Sequence, residues 1–268
     1  MKLDNAGDGP GWLACGRMLP QADLTGGGAA GEPRLLLLIG CTRQKAASPD
    51  NPLTWQDFLD AQRLDRRTAE LGEHVRPARD MFTSPLFCDA MAAVDELRRG
   101  FGHDFVDVRI VSAGYGSIPE DRPIAPYDFS FGDLTFDEAR WRGEHLGLPQ
   151  AVREAAQGYA LVVSLLGKAY RAAAGLPGDA PLGAKDIYLT GAALGGRMPE
   201  GASQVRLGVA EMEAFAAGPT TIKAKVLGDF ARGLVLRGDG AFAEVMAAQG
   251  AEGFLRVALA GSAAKATS

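Results

Sequence analysis

Histidine and cysteine are scarce here, and what there is does not cluster. The three cysteines, Cys15, Cys41 and Cys88, form no CxxC pair, and His74, His103 and His145 form neither HExxH nor HxH. Such spacing signals neither a zinc site nor a disulfide framework, so no metal and no cofactor is expected, and a reducing, cytoplasmic setting fits. Long apolar runs are absent too. The longest, LLLLI at 35–39, falls far short of the roughly 20 residues that span a bilayer. The first 33 residues lack the apolar segment of a signal peptide, so no membrane partner is expected. Positive charge is not in excess, with 28 Lys and Arg against 33 Asp and Glu. That balance excludes a surface coated for nucleic acid and leaves room only for a local basic patch. Walker-type GxxxxGK[ST] spacing and the GxSxG elbow are both missing, which removes two common nucleotide and hydrolase signatures.

What remains is an ordinary globular composition, 47% hydrophobic and 23% charged over 268 residues, enough for a sizeable core. Residues 1–33 read as a Gly-rich, poorly ordered lead-in, 34–260 as an α/β domain and 261–268 as a frayed tail. RLLLLIGCT at 34–42 reads as a buried central strand. A helix is predicted from about Thr54, and the charge-rich stretch 63–80 reads as solvated helix or loop. SPLFCDAMAAVDELRRG spaces Leu86, Ala90, Val94 and Leu97 on one helical stripe, with Ser84 as N-cap, Pro85 at the first position and Gly100 as the stop. VDVRIVSAG, YALVVSLLG and KDIYLTG read as further strands. Residues 135–158 read as helix with a break near Gly147 and Pro149. SQVRLGV and TTIKAKV are two more strand candidates, followed by closing helices in FARGLVLRG and GAFAEVMAAQ. Strand, helix and turn alternate without an internal repeat. The pattern predicts a mixed α/β fold, a mainly parallel central sheet flanked by helices in a single compact domain.

In such sheets ligands gather at the carboxyl ends of strands. Three polar loops fall there: CTRQK, SAGYG and LLGKAY. In CTRQK, Thr42 and Lys45 with backbone N–H groups suit an anion, and Cys41 is either a thiol activated by neighbouring cations or a small buried hydrophobe. In SAGYGSIPEDRPIAPYD, Ser112 and Tyr115 offer hydroxyls, Tyr127 could stack on a ring or plug the core, and Asp128 could serve as general base, ribose ligand or turn cap. Lys168, Tyr170 and Arg171 open a helix after a strand, where a bound anion would make sense of the lysine. Lys223, Lys225, Arg232 and Arg237 form either a basic strip for phosphates or a solvated face.

These residues also carry a resemblance. Ser112, Tyr115, Gly116, Pro126 and Tyr127 resemble the strand-end loop of the YaaA-type peroxide-stress protein family. Its shorter bacterial and phage relatives are similar at Cys41, Thr42 and Lys45, at Ala78, Arg79 and Asp80, at Ser84 to Phe87, and at Ile124 to Asp128. Trp141 to Gly143, VVSLLGKAYRAA and IKAKVLGDFARGLVLR follow in the family's order, so the likeness runs from about Leu35 to about Arg237. GCTRQK stands where the family carries serine-proline-alanine-lysine, and 54–77 stands where YaaA-type proteins carry a helix-hairpin-helix-like DNA-binding element. The resemblance implies a compact α/β fold, a cytosolic role in protection from oxidative damage and affinity for nucleic acid. Distant relatives in nucleobase-modification proteins extend it to a nucleotide- or base-handling cleft. On that reading Lys45, Arg79, Lys168 and Arg232, with Thr42 and Ser84, hold phosphates, and Tyr115 or Tyr127 stacks on a base. Asp128 bonds a sugar or base edge. Two alternatives stand beside it. One is a nucleoside or nucleobase N-glycosidase-like hydrolase with Asp128 as base, Cys41 or Ser112 orienting the substrate and Asp121 as the one nearby second carboxylate. The other is a non-catalytic, partner-binding subunit.

Overall fold

The computed structural model describes residues 34–194 and 197–266; the lead-in expected over 1–33 lies outside them. In chain order the elements are β1 (Leu35–Gly40), α1 (Ala61–Glu70), β2 (Arg76–Pro77), α2 (Ala78–Met81), α3 (Pro85–Phe101), β3 (Val106–Ser112), β4 (Gly116–Pro119), β5 (Pro123–Ile124) and α4 (Phe136–His145). There follow α5 (Leu148–Ala155), β6 (Leu161–Ser164), α6 (Lys168–Ala173), β7 (Lys185–Thr190), β8 (Ala202–Arg206), α7 (Val209–Ala214), α8 (Ile222–Arg237), α9 (Asp239–Ala247) and α10 (Glu252–Ala266). Six strands form one sheet in the order β4-β3-β1-β6-β7-β8. All neighbours are parallel except β4, which returns antiparallel along β3. This is the expected mainly parallel α/β architecture.

Leu35 to Ile39 are fully buried because both faces of β1 are covered. Leu35, Leu37 and Ile39 face a core built with α3 and α8, while Leu36 and Leu38 face a second core with Leu148, Val152 and Ala173. The strand period of two thus assigns alternate residues to two cores. Two glycines set the spacing on the second side. A Cβ on Gly143 of α4 would lie 1.9 Å from the Ala173 carbonyl oxygen, so only glycine lets α4 and α6 approach this closely. A Cβ on Gly40 would lie 2.8 Å from the Tyr170 ring, which rests on the end of β1.

The chain leaves β1 for β3 on one side and then places β6 on the other. That reversal is a topological switch point, where loops after adjacent strands splay apart and leave a crevice. The loops after β1, β3 and β6 all open there, as their sequences predict.

Several expectations shift. α3 has its Ser84 cap, with Oγ accepting from Phe87 N–H at 3.3 Å, but it passes Gly100 and closes on Gly102, whose φ is 98°. The break near Gly147 is real and separates α4 from α5. The helix expected from about Thr54 is a short 3-10 turn, Trp55–Leu59, and the charge-rich stretch 63–80 divides among α1, a 3-10 turn at Gly72–His74, β2 and α2. TTIKAKV is not a strand. Its alternating Ile222, Ala224 and Val226 belong to the first turns of α8, whose buried set continues through Leu227, Phe230, Ala231 and Leu234 at helical spacing. The tail expected to fray from 261 is helical through Ala266. Gly261 seats α10 on α8, its missing Cβ falling 1.9 Å from the Asp229 carbonyl oxygen. Among the described residues no helix is long and apolar enough to cross a membrane.

Candidate functional site

The ends of β1 and β3 bring together Cys41, Ser112, Tyr127, Lys45 and, from α6, Tyr170. Cys41 follows β1 directly, its N–H bonded to the Val111 carbonyl at 2.9 Å, so the thiol emerges where the sheet ends. It is buried, with Sγ 3.5 Å from the Tyr170 hydroxyl, and that hydroxyl donates to the Cys41 carbonyl at 2.5 Å. The Tyr127 hydroxyl lies 2.7 Å from Ser112 Oγ and also neighbours the Cys41 thiol. Ser112 Oγ accepts from the N–H groups of Gly114 and Tyr115 at 3.3 and 3.0 Å. The serine therefore ties the turn after β3 to Tyr127, a structural use that leaves no free nucleophile. Burial, and then the neighbouring thiol, push the Tyr127 and Tyr170 hydroxyls well above the ordinary tyrosine range, so both stay protonated donors at neutral pH.

Lys45 stands at the rim. Its backbone bridges to Phe82, and its Nζ donates to the Thr42 carbonyl at 3.2 Å while lying 4.2 Å from the centre of the Tyr127 ring. Burial lowers its pKa; the Cys41 thiol and the Asp128 and Asp133 carboxylates oppose that fall. Asp128 is exposed, its backbone N–H held by the Leu53 carbonyl at 3.2 Å. Asp133 bonds the N–H and hydroxyl of Ser130, at 2.9 and 3.0 Å, and faces Arg43 at 3.6 Å. It, rather than Asp121, is the second carboxylate acting on Lys45.

The other expected residues sit elsewhere or serve the fold. Thr42 closes its own turn onto the Gln44 carbonyl at 3.1 Å. Tyr115 clasps Ala125, accepting from its N–H at 3.1 Å and donating to its carbonyl at 3.3 Å, and burial pushes its hydroxyl up to about 12. Lys168 is exposed at the start of α6, 5.5 Å from the Phe136 ring centre. Arg79 and Arg232 are not brought to the crevice: Arg79 pairs with Asp95 at 2.8 Å and Glu120 at 3.1 Å, Arg232 with Asp229 at 2.8 Å and Glu96 at 3.8 Å. Ser84 is the α3 cap. Tyr127, nearly inaccessible, plugs the core and offers no face for stacking.

Comparison of the sequence with protein-family models and with curated proteins gives no match. The residues themselves must carry the reading.

Sequence reasoning passed over Arg142 and Phe136, and named Tyr170 and Lys223 only at a helix start and in a basic strip. Tyr170 is the residue that fixes Cys41, and the glycine ending β1 leaves room for its ring. Arg142 is fully buried, its Nε donating to the Ala113 carbonyl at 3.3 Å and its guanidinium 4.0 Å from the centre of the Trp55 ring. Its Nη2 has no hydrogen-bond partner among the described residues, and burial lowers its pKa to about 10. Phe136 keeps 42% of its surface exposed between Lys168 and Arg140, whose guanidinium lies 5.0 Å from the ring centre. Lys223 turns toward the end of β6 and bonds the carbonyls of Leu165 and Leu166. A separate cleft of about 560 Å³ opens at the start of β7 and β8, lined by Lys185, Glu200, Ser203 and Gln249. There Lys185 serves as a clamp on the Val245 carbonyl at 2.7 Å, and the crevice chemistry lies at the opposite strand ends.

Proposed function

We propose that the chain binds a nucleotide or nucleobase, free or within nucleic acid, at the carboxyl ends of β1, β3 and β6. The observation that carries this reading is the polar rim at the switch point. There Lys45 supplies a cation beside the Asp128 carboxylate, held in place by the buried Tyr127 ring and the Thr42 carbonyl. A cation suits phosphate and an exposed carboxylate suits a sugar hydroxyl or base N–H. Stacking falls to Phe136, whose open ring is flanked by two cations that would also meet a phosphate backbone. The resemblance to YaaA-type proteins gives this site a cytoplasmic setting and a stress-response or DNA-protection role. With Arg79 and Arg232 already paired to acids, the phosphate contacts pass to Lys45 and Lys168.

The test is a thermal-shift and calorimetric screen over nucleosides, nucleotides and short single-stranded DNA at fixed salt. A saturable rise in midpoint is expected, weakened about tenfold in Phe136→Ala, in line with the 1–3 kcal/mol of one stacked base. If no compound of the three classes moves the midpoint, the proposal fails. A second reading, an N-glycosidase-like hydrolase, draws on Asp128 and Asp133 flanking one lysine. It requires release of free base from a nucleoside, abolished in Asp128→Asn while binding persists.

A further inference from the structure

Lys223 and Arg171 reach the end of β6 from the two sides of the sheet. Lys223, the second residue of α8, donates from Nζ to the carbonyl oxygens of Leu165 at 2.9 Å and Leu166 at 3.1 Å. Arg171 of α6 donates from Nη1 to the same Leu166 oxygen at 2.6 Å. Two cations therefore share one carbonyl, and among the described residues neither has an ion-pair partner. Asp186, which bonds the Tyr188 hydroxyl, is also engaged by the N–H groups of Leu182 and Gly183 at 2.7 and 3.0 Å. Burial lowers the pKa of both cations, and for Lys223, brought down to about 8, the Arg171 charge adds to it.

Like charges withdrawn from water without a counter-charge are unfavourable, and the usual compensation is an anion. A third group points the same way. Ser164 Oγ is buried with no hydrogen-bond partner, two residues before Leu166. Its neighbour across the sheet is Tyr188, which lies within electrostatic reach of Arg171. Lys223 also stands in the first turn of a 16-residue helix, where its charge opposes the helix dipole and an adjacent oxyanion would be favoured.

We propose that Arg171, Lys223 and Ser164 form an oxyanion subsite that takes a phosphate group. Arg171 keeps four N–H donors beyond the one bound to Leu166, and Lys223 and Ser164 keep one each. Two positive charges match a phosphate dianion, whereas a carboxylate would leave one of them uncompensated. The phosphate is either free inorganic phosphate or the phosphate of a nucleotide seated at the strand-end rim, and in the second case the inference rests on the function proposed above.

The test titrates the full chain with inorganic phosphate against potassium chloride of equal ionic strength, then with a nucleoside and its monophosphate, reading heat and melting midpoint. Wild type should bind phosphate saturably. Lys223→Met should weaken it about tenfold or more and Ser164→Ala several-fold, as expected for losing a charged and a neutral donor. Ser164→Ala removes a hydroxyl bonded to nothing, so it keeps the fold intact for the measurement. A phosphate response unchanged in both variants overturns the subsite, as does its absence in wild type with a lower midpoint in Lys223→Met, which would mark the cations as carbonyl caps. A nucleoside response without a phosphate response ends the subsite and leaves the rim reading standing. A phosphate response without a nucleoside response supports the subsite and counts against the rim.

Discussion

Lys223 and Lys225 are two residues apart on α8, yet they live in opposite electrostatic worlds. Lys225 pairs with Asp229, which also holds Arg232 at 2.8 Å, and Arg237 meets Glu244 at 2.6 Å. Lys223 meets only carbonyl oxygens and another cation. The cations around the buried Asp229 are neutralised within the fold; Lys223, at the strand ends, is not. A run of basic residues therefore says little about binding until each is matched to its acid. What marks a site is the cation left without one.

The largest test of this contrast is to make the paired face resemble the unpaired one. Asp229→Asn leaves Lys225 and Arg232 without their shared carboxylate, which is 1% exposed. It should cost about 3 kcal/mol by urea denaturation, the low end for a broken buried pair because both cations can turn to water. Tyr127→Phe comes next. It removes the bond to Ser112, while Ser112 keeps its two backbone donors, so a loss of about 1 kcal/mol is expected from the same measurement. The third test is a pH dependence. The Lys223 pKa falls from 10.5 in the unfolded chain to about 8 in the fold. Between those values the unfolded chain binds more protons, so wild-type stability should gain with rising pH across that window relative to Lys223→Met. Parallel curves for the two proteins would show that the ammonium is not desolvated and would narrow the contrast. Tyrosines titrating near the upper limit contribute equally to both proteins and cancel.

The sheet was legible because β1 carries five consecutive apolar residues, and β6 and β7 carry shorter apolar runs, Leu161–Val163 and Ile187–Leu189. The helix breaks were legible in Ser84-Pro85 and Gly147. TTIKAKV misled because three alternating apolar residues fit both a strand and one flank of a helix, and only the later Leu227 and Phe230 separate the two. In the site, position after a strand picked out Cys41, Lys45 and Ser112, since chain order alone fixes where a parallel strand ends. It could not show that Ser112 is tied down or that Tyr127 is buried, for both depend on a loop that folds back across fifteen residues. Arg171 and Lys223 were named only as members of a helix start and a basic strip, and Arg142 not at all, because a missing partner has no trace in a linear sequence.

Tyr170 carries a consequence for rate. Its ring lies against Gly40, where a side chain would collide at 2.8 Å, and its helix is pressed on α4 at Gly143. A ligand at the proposed rim would therefore meet strand ends already fixed by this packing. Association at the rim should then be governed by encounter, with a single-phase on-rate linear in ligand concentration and sensitive to salt through Lys45 and Lys168. Gly143→Ala, which drives a methyl toward the Ala173 carbonyl, should loosen that packing and bring in a second phase that no longer depends on concentration.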